Sequence, residues 1–330
     1  MTQLLWTQKQ DIGPSARFDF DMVFDPARRR VVLFGGAISM TPGNNLVNDT
    51  WEWNGSEWTQ TADIGPSPRM GHALAYDSQR QRVVLFGGTG TTYLGLGDTW
   101  EWDGESWTQV ADTGPSARTH HAITFDSRRN RVILFWGVGA DQIALADTWV
   151  WDGNEWAQEQ DSGPKGRFGH KLVYDSGRNR VVLLGGNNRI VTSEVVQDRG
   201  FWGNVVGTHT ETRITENQLG DTWEYDGSLW AHVADTGPEP RSGYGMIFDG
   251  EKTLLFGGSK SGQSFGSTWS WDGRFWTQRQ DMGPGGRWAF GMAFDSVRQR
   301  SVLFGGNING RLLADTWELF HRPNLTANTE

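Results

Sequence analysis

A six-bladed β-propeller of four-stranded antiparallel blades is the fold class that this 330-residue sequence predicts, and three observations predict it. The first is repetition. Gly-Pro recurs at Gly13-Pro14, Gly65-Pro66, Gly114-Pro115, Gly163-Pro164, Gly237-Pro238 and Gly283-Pro284, each time inside the same phrase, with a period of about fifty residues. The second is the character of each unit, which is made of short β-rich segments with no helical periodicity. The third is phase. Leu4-Leu5-Trp6-Thr7-Gln8 is the tail of a unit, whereas the last unit stops after Asp315-Thr316-Trp317-Glu318-Leu319 and lacks that tail, so the two ends complete each other.

Four strands are expected per unit. The first follows the Gly-Pro loop, as in Gly71-His72-Ala73-Leu74-Ala75-Tyr76-Asp77. The second, Arg82–Phe86, reads as a buried apolar run ended by Gly87-Gly88. The third, Thr99-Trp100-Glu101-Trp102, alternates with an aromatic at every second position, and the fourth carries Trp107-Thr108-Gln109. Asp103-Gly104 lies between the third and fourth, and Asn54-Gly55, Asp152-Gly153, Asp226-Gly227 and Asp272-Gly273 hold the same place. That dipeptide predicts a type I′ hairpin, whose twist matches its flanking strands. Strand 4–8 then becomes the outer strand of the last blade, and pairing between the termini closes the ring without an exposed sheet edge. Residues 1–320 form one domain, with a 34-residue insertion, 187–220, where unit two has nine residues. Residues 321–330 are expected to be a flexible tail.

The Gly-Gly doublet, the downstream Asp-Thr-Trp-Glu-Trp and the further Trp a few residues later resemble the kelch repeat. The resemblance covers about residues 4–320 in six copies and implies a six-bladed kelch propeller. Relatives of that fold include both enzymes and binding modules, so the fold alone decides no activity. Copper-radical oxidases of the fold need a cysteine, and this chain has none. Specifier proteins of the fold hold iron through Glu-x3-Asp-x3-His. The insertion here offers Glu194 and Asp198 at that spacing but Trp202 in the third place, so no metal is assigned beyond this weak pair. No cofactor is expected.

Composition narrows the partners. A net charge of −9 with interspersed signs excludes nucleic acid as the main partner, because phosphate binding draws on a basic surplus. The N-terminal residues have neither a basic start nor a long apolar stretch, and no run approaches membrane-spanning length, so a cytoplasmic monomer with no membrane partner is the expectation.

Features shared by all units build the fold, so function is sought in departures from the repeat. Sixteen of the 19 tryptophans follow the pattern and are assigned to packing between units. Trp136, Trp202 and Trp288 do not. The topology puts all three on the face that carries the Gly-Pro loops, here called the top. The insertion, with Phe201-Trp202 near its middle, reads either as a lid or binding element or as a small extra hairpin. Two residues after the loop arginine stand Gly71, Gly169, Gly243 and Ala289, but Asp19 and His120 in units one and three. Those two are candidates for a site at the channel. His72, His121 and His170 share one repeat position and read as structural. Arg17, Arg69, Arg118, Arg167, Arg241 and Arg287 ring the top. Arginines at similar positions of kelch adaptors bind acidic peptides, so Arg17, Arg118, Arg167 and Arg287 are candidate anion contacts, with loop carbonyls or the recurrent aspartates before Gly-Pro as their alternative partners.

The expected function is therefore recognition of a small organic, anionic or glycan-like ligand in a top pocket made by Asp19, His120, Trp136, Trp202, His209, Trp288 and the ring arginines. The alternatives are a non-redox isomerase, lyase or cyclase using His120, Asp19 or His209 as acid or base, and a protein-interaction scaffold, with an acidic peptide among its partners.

Overall fold

The computed structural model describes residues 3–9, 12–41, 45–139, 144–160, 163–199, 205–280 and 283–322. Among them there is no helix, and hence none long and apolar enough to cross a membrane. Among the described residues six antiparallel four-stranded sheets follow one another, the second extended by the short strand Arg69–Met70, and two small two-stranded sheets, Ser259–Lys260 with Gln263–Ser264 and Asn307–Ile308 with Arg311–Leu312, lie within units five and six. Unit one shows the plan: Asp21–Asp25, Arg30–Phe34, Thr50–Trp53 and Trp58–Ala62 pair in chain order. In the sheet of unit six the place of the fourth strand is taken by Gln3–Gln8, which pairs antiparallel with Thr316–Arg322, from Gln3 opposite Arg322 to Gln8 opposite Trp317. That pairing runs two residues into the segment expected to be a tail.

Several local expectations change. The Asp-Gly turns are not two-residue type I′ hairpins, because Trp102 pairs with Trp107 and leaves a four-residue loop. The Asp103 carboxylate accepts the backbone N–H groups of Glu105 and Ser106 at 2.8 Å each, and only Gly104 has positive φ. The side chain, rather than a left-handed pair of residues, makes the turn. In unit two the second strand does not end at Gly87-Gly88. It runs Arg82–Gly90, with an irregularity in pairing between Phe86 and Gly88, so the doublet there forms a bulge.

Packing between units follows the repeat. The apolar residues of each second strand are fully buried, and the clusters they form mix neighbouring units. The fourth-strand indole of each unit donates to the third-strand threonine of the unit before it: Trp107 to Thr50, Trp156 to Thr99, Trp230 to Thr148, Trp276 to Thr222, Trp6 to Thr268 and Trp58 to Thr316. This set is cyclic. At the turns opposite the Gly-Pro loops, Arg28, Arg80, Arg129, Arg178 and Arg298 pair with Asp25, Asp77, Asp126, Asp175 and Asp295 of their own turns.

A second cycle lies at the centre, where the first strands of consecutive units lie side by side and that of unit six lies beside that of unit one. The backbone N–H of Asp19 donates to Ala289, Ala289 to Gly243, Gly243 to Gly169, Gly169 to His120, His120 to Gly71 and Gly71 to Asp19, all at 2.7–3.0 Å. Each of the six has φ between 52° and 65°. Small residues recur here because the left-handed region suits glycine and because the chain is crowded. A Cβ on Gly71 would meet the Thr119 hydroxyl at 2.3 Å and the His120 ring at 3.1 Å.

Candidate functional site

Asp19 and His120 occupy that ring despite the left-handed backbone it demands, and aspartate and histidine are among the few side chains that tolerate it. They meet, with His120 Nε2 3.4 Å from Asp19 Oδ2 and His120 Nδ1 3.1 Å from the Thr119 hydroxyl. Burial pulls the His120 pKa down, but the charge and hydrogen bond of Asp19 outweigh it and raise the pKa, against the opposing charges of Lys171 and Arg189. The raised imidazole pKa suits His120 to present a proton to an anion or to exchange one.

Both line a small cavity of about 60 Å³ beside the ring, together with Lys171. Lys171 also lines a second cavity of about 360 Å³, which extends along the first strands to the turns at Pro26, Ser176 and Ser296. The larger chamber thus reaches the face opposite the one the sequence favours. Where the two chambers adjoin, Lys171 Nζ bonds Asp21 Oδ1 at 2.9 Å, and Asp21 Oδ2 accepts the Leu74 N–H at 2.9 Å. Sequence reasoning missed both residues. Two positions after the ring residue the other units carry Ala73, Ala122, Gly245 and Gly291, so the comparison that found Asp19 and His120, moved two residues on, finds Asp21 and Lys171.

The ring arginines are turned inward. Arg17, Arg118, Arg167 and Arg287 are at most 1% exposed, and each grips a carboxylate bidentately at 2.6–2.9 Å: Asp49, Asp147, Asp221 and Asp315 respectively. Besides the expected loop carbonyls, Ser15 and Gly35 for Arg17 and Gly285 and Gly305 for Arg287, their partners are the aspartates of the Asp-Thr-Trp motif, not those before Gly-Pro. Of the latter, Asp63, Asp112 and Asp235 are exposed, and Asp11, Asp161 and Asp281 lie outside the described residues. Burial raises the pKa of the motif aspartates, but the arginine hydrogen bonds and charge outweigh it and hold them below the usual carboxylate range. In unit five Ser267 replaces the aspartate. Arg241 there bonds the Gly257 carbonyl at 3.0 Å and lies 4.1 Å from the centre of the Phe265 ring, and desolvation pulls its pKa down to about 10.

Trp136 is likewise buried. Its indole is 1% exposed and lies on Phe135, with ring centres 4.0 Å apart at 22°. It replaces a glycine at φ 57°, and its side chain turns inward between units three and four rather than outward. Trp288 is half-buried, edge-on to Phe18 at 6.2 Å, and bridges to Asn307. Trp202 lies outside the described residues.

The insertion is an extended ribbon. Strands Arg180–Arg199 and Val205–Tyr225 stay paired from Val181 opposite Tyr225 to Arg199 opposite Val205. His209 stands opposite Val196, about 33 Å of strand beyond Gly186, and bonds Asp198 at 2.7 Å, so it does not join Asp19 and His120. The extended backbone also removes the iron reading. Glu194 and Asp198 lie about 13 Å apart along one strand, too far to share an ion, and no group of three potential metal ligands occurs among the described residues.

The repeat geometry agrees with the comparison to known families. Residues 24–198 match the family model described as the KLHDC2/KLHL20/DRC7 Kelch-repeats domain. No curated protein matches the chain at a significant level.

Proposed function

The chain belongs to the Kelch-repeats family, and on that premise we propose that it is a six-bladed propeller that binds a protein partner through the ribbon of unit four. The two cyclic sets of hydrogen bonds and the pairing of Gln3–Gln8 with Thr316–Arg322 support the blade count and the closure. Kelch domains commonly mediate protein interactions.

The observation that carries the reading is an exposed apolar cluster on one side of the ribbon, set among Ser193, Thr210 and Thr212. Val191 stands opposite Ile214, and Val195, four residues from Val191, falls on the same side. The three are 37%, 55% and 72% exposed. The other side carries Ile190 opposite Thr215 and Val196 opposite His209, but also Thr192 opposite Arg213, Glu194 opposite Glu211 and Asp198. Its foot is fixed by Gln218, which bonds Ser242 and Ser259, and by Arg189, which pairs with Glu216 and lies over Phe168. Further out, Thr192 to Arg213 and Ser193 to Thr212 link the two strands to each other. A two-stranded ribbon is marginal by itself in water, and a partner covering its apolar cluster supplies what the ribbon lacks. A photo-crosslinking residue at Val195 is expected to capture a defined partner in extracts of the source cell, while the same residue at Gln299 on the opposite face is not. Equal capture from both positions, or none from Val195, refutes the proposal.

A second reading, a small organic, anionic or glycan-like ligand held at the ring, draws its support from the Asp19–His120 pair. It predicts a ligand-induced rise in melting temperature that disappears in His120→Gly, which restores the residue of units two, four and five. Retention of the rise in that variant rejects it.

A further inference from the structure

We propose that the larger axial chamber is a binding site for a small zwitterion of the amino-acid type with an apolar side chain, its ammonium taken by Asp21 and its carboxylate by Lys171. The inference is independent of the ribbon, which concerns other residues on the other face.

The charged pair has no place in the repeat. Asp21 and Lys171 stand where units two, three, five and six have alanine or glycine, and they come from units one and four, which face each other in a ring of six. Their ion pair spans the centre of the molecule, 150 residues apart in sequence. An ion pair in such a place is weak grounds for stability, because desolvation offsets much of the attraction and an apolar substitute is often as good. Lys171 keeps 31% of its side chain accessible and Asp21 10%, so both remain reachable from the chamber.

The chamber matches such a ligand in size and polarity. Its volume of about 360 Å³ is at the small end of the range for ligand pockets. The walls below the pair are Val23, Thr124, Val173 and Ile247. Further out the lining becomes aromatic, with Tyr76 and Phe248 among the rings one position later in the repeat. Five residues of strand separate Asp21 from Pro26 at the mouth, about 16 Å. The result is a deep sleeve in which apolar side chains and rings alternate with hydroxyls such as Thr124, Ser176 and Ser296, and whose inner end presents one carboxylate and one ammonium.

Charge balance selects the head group. A simple carboxylate bound to Lys171 would leave Asp21 with an uncompensated negative charge in a confined site, and a simple amine bound to Asp21 would do the same to Lys171. A molecule carrying both charges exchanges one internal ion pair for two external ones and leaves nothing unpaired. The apolar body then lies along the valines and the rings.

Isothermal titration calorimetry on the full chain tests this with L-phenylalanine as the probe and 3-phenylpropionate and 2-phenylethylamine as its two half-ligands. The expected result is saturable one-to-one binding of L-phenylalanine, with each half-ligand at least tenfold weaker. The double variant Asp21→Ala/Lys171→Ala, which restores the residue type of units two and three, should fold with an unchanged circular dichroism spectrum and bind at least tenfold more weakly. Three results overturn the proposal: a half-ligand binding as tightly as the zwitterion, full binding by the folded double variant, or no saturable binding of L-phenylalanine to the wild-type chain.

Discussion

His72, His121 and His170 make this fold sensitive to mild acid, and the repeat itself supplies the control. Each imidazole is at most 5% exposed and packs edge-on against a phenylalanine of the preceding unit: His72 on Phe34, His121 on Phe86 and His170 on Phe135, at 5.4–5.9 Å. Desolvation, reinforced by nearby Arg69 and Lys171, depresses the pKa of His72 to about 3, and desolvation with Arg167 does the same for His170. Desolvation and Arg118 also hold His121 well below its ordinary value. In the unfolded chain all three titrate near 6.5, so the unfolded state takes up protons that the folded state refuses. The stability contributed by the neutral rings is complete above about pH 6.5 and is lost as pH falls toward 3. At pH 5, about 1.5 units below the unfolded value, each neutral ring costs on the order of 2 kcal/mol relative to pH 7.5, and the three together about 6 kcal/mol. Units one and six carry Phe20 and Phe290 at this position, packed on Phe304 and Phe256 at 5.8 Å in the same edge-on way. The triple variant His72→Phe/His121→Phe/His170→Phe should therefore fold and lose most of the stability difference between pH 7.5 and pH 5, with each single variant losing about a third of that. Urea unfolding followed by tryptophan fluorescence at the two pH values measures it. The motif aspartates, held below the usual carboxylate range, titrate at lower pH and leave this window clear. If the triple variant keeps the acid sensitivity of the wild type, the burial argument fails.

Other expectations are simpler to test. His120 works in the opposite direction: its raised pKa adds stability that is present below the unfolded value and fades as pH climbs through the folded one, so His120→Gly should lose more stability at pH 6 than at pH 8 in thermal melts. Ser267→Asp restores the carboxylate that the other five arginines have and offers Trp269 a stronger acceptor than the present hydroxyl at 3.1 Å; a gain of about 1–2 kcal/mol in denaturant unfolding is expected, and a loss would mean that the Phe265 stacking matters more. Asp98→Ala strands the buried Arg69 and should cost about 3 kcal/mol or more by the same assay, with a result near zero contradicting the bidentate pairing. Trp136→Gly relieves a left-handed tryptophan but empties a packed site; a net loss of about 2–4 kcal/mol without any ligand present separates its packing role from a binding role.

Much of the fold was legible because its signals are local. A Trp at every second position of the third strand, a glycine doublet after the second and an Asn-Gly or Asp-Gly after the third each state what happens within a few residues, and most of the units repeat each statement. Even the complementary ends could be read, since Leu4–Gln8 has the sequence of a fourth strand. The type I′ reading of Asp103-Gly104 failed because dipeptide statistics do not say whether the aspartate side chain will take the N–H groups of Glu105 and Ser106. Which carboxylate each ring arginine takes was hidden for a related reason. Sequence places Arg17 beside a loop, whereas burial by neighbouring strands and the carboxylate of Asp49 decide that it faces inward.

By itself, then, the sequence determined the repeat, the strands and which positions depart from the consensus, because periodicity is a property of neighbouring residues. Only the tertiary structure decided which departures meet. Asp19 meets His120 and Asp21 meets Lys171 across units, Trp136 packs into the core between units three and four, and the ribbon carries His209 away from them. Those outcomes depend on distances across the ring and on the direction in which a side chain finds space, and no spacing along the chain encodes either.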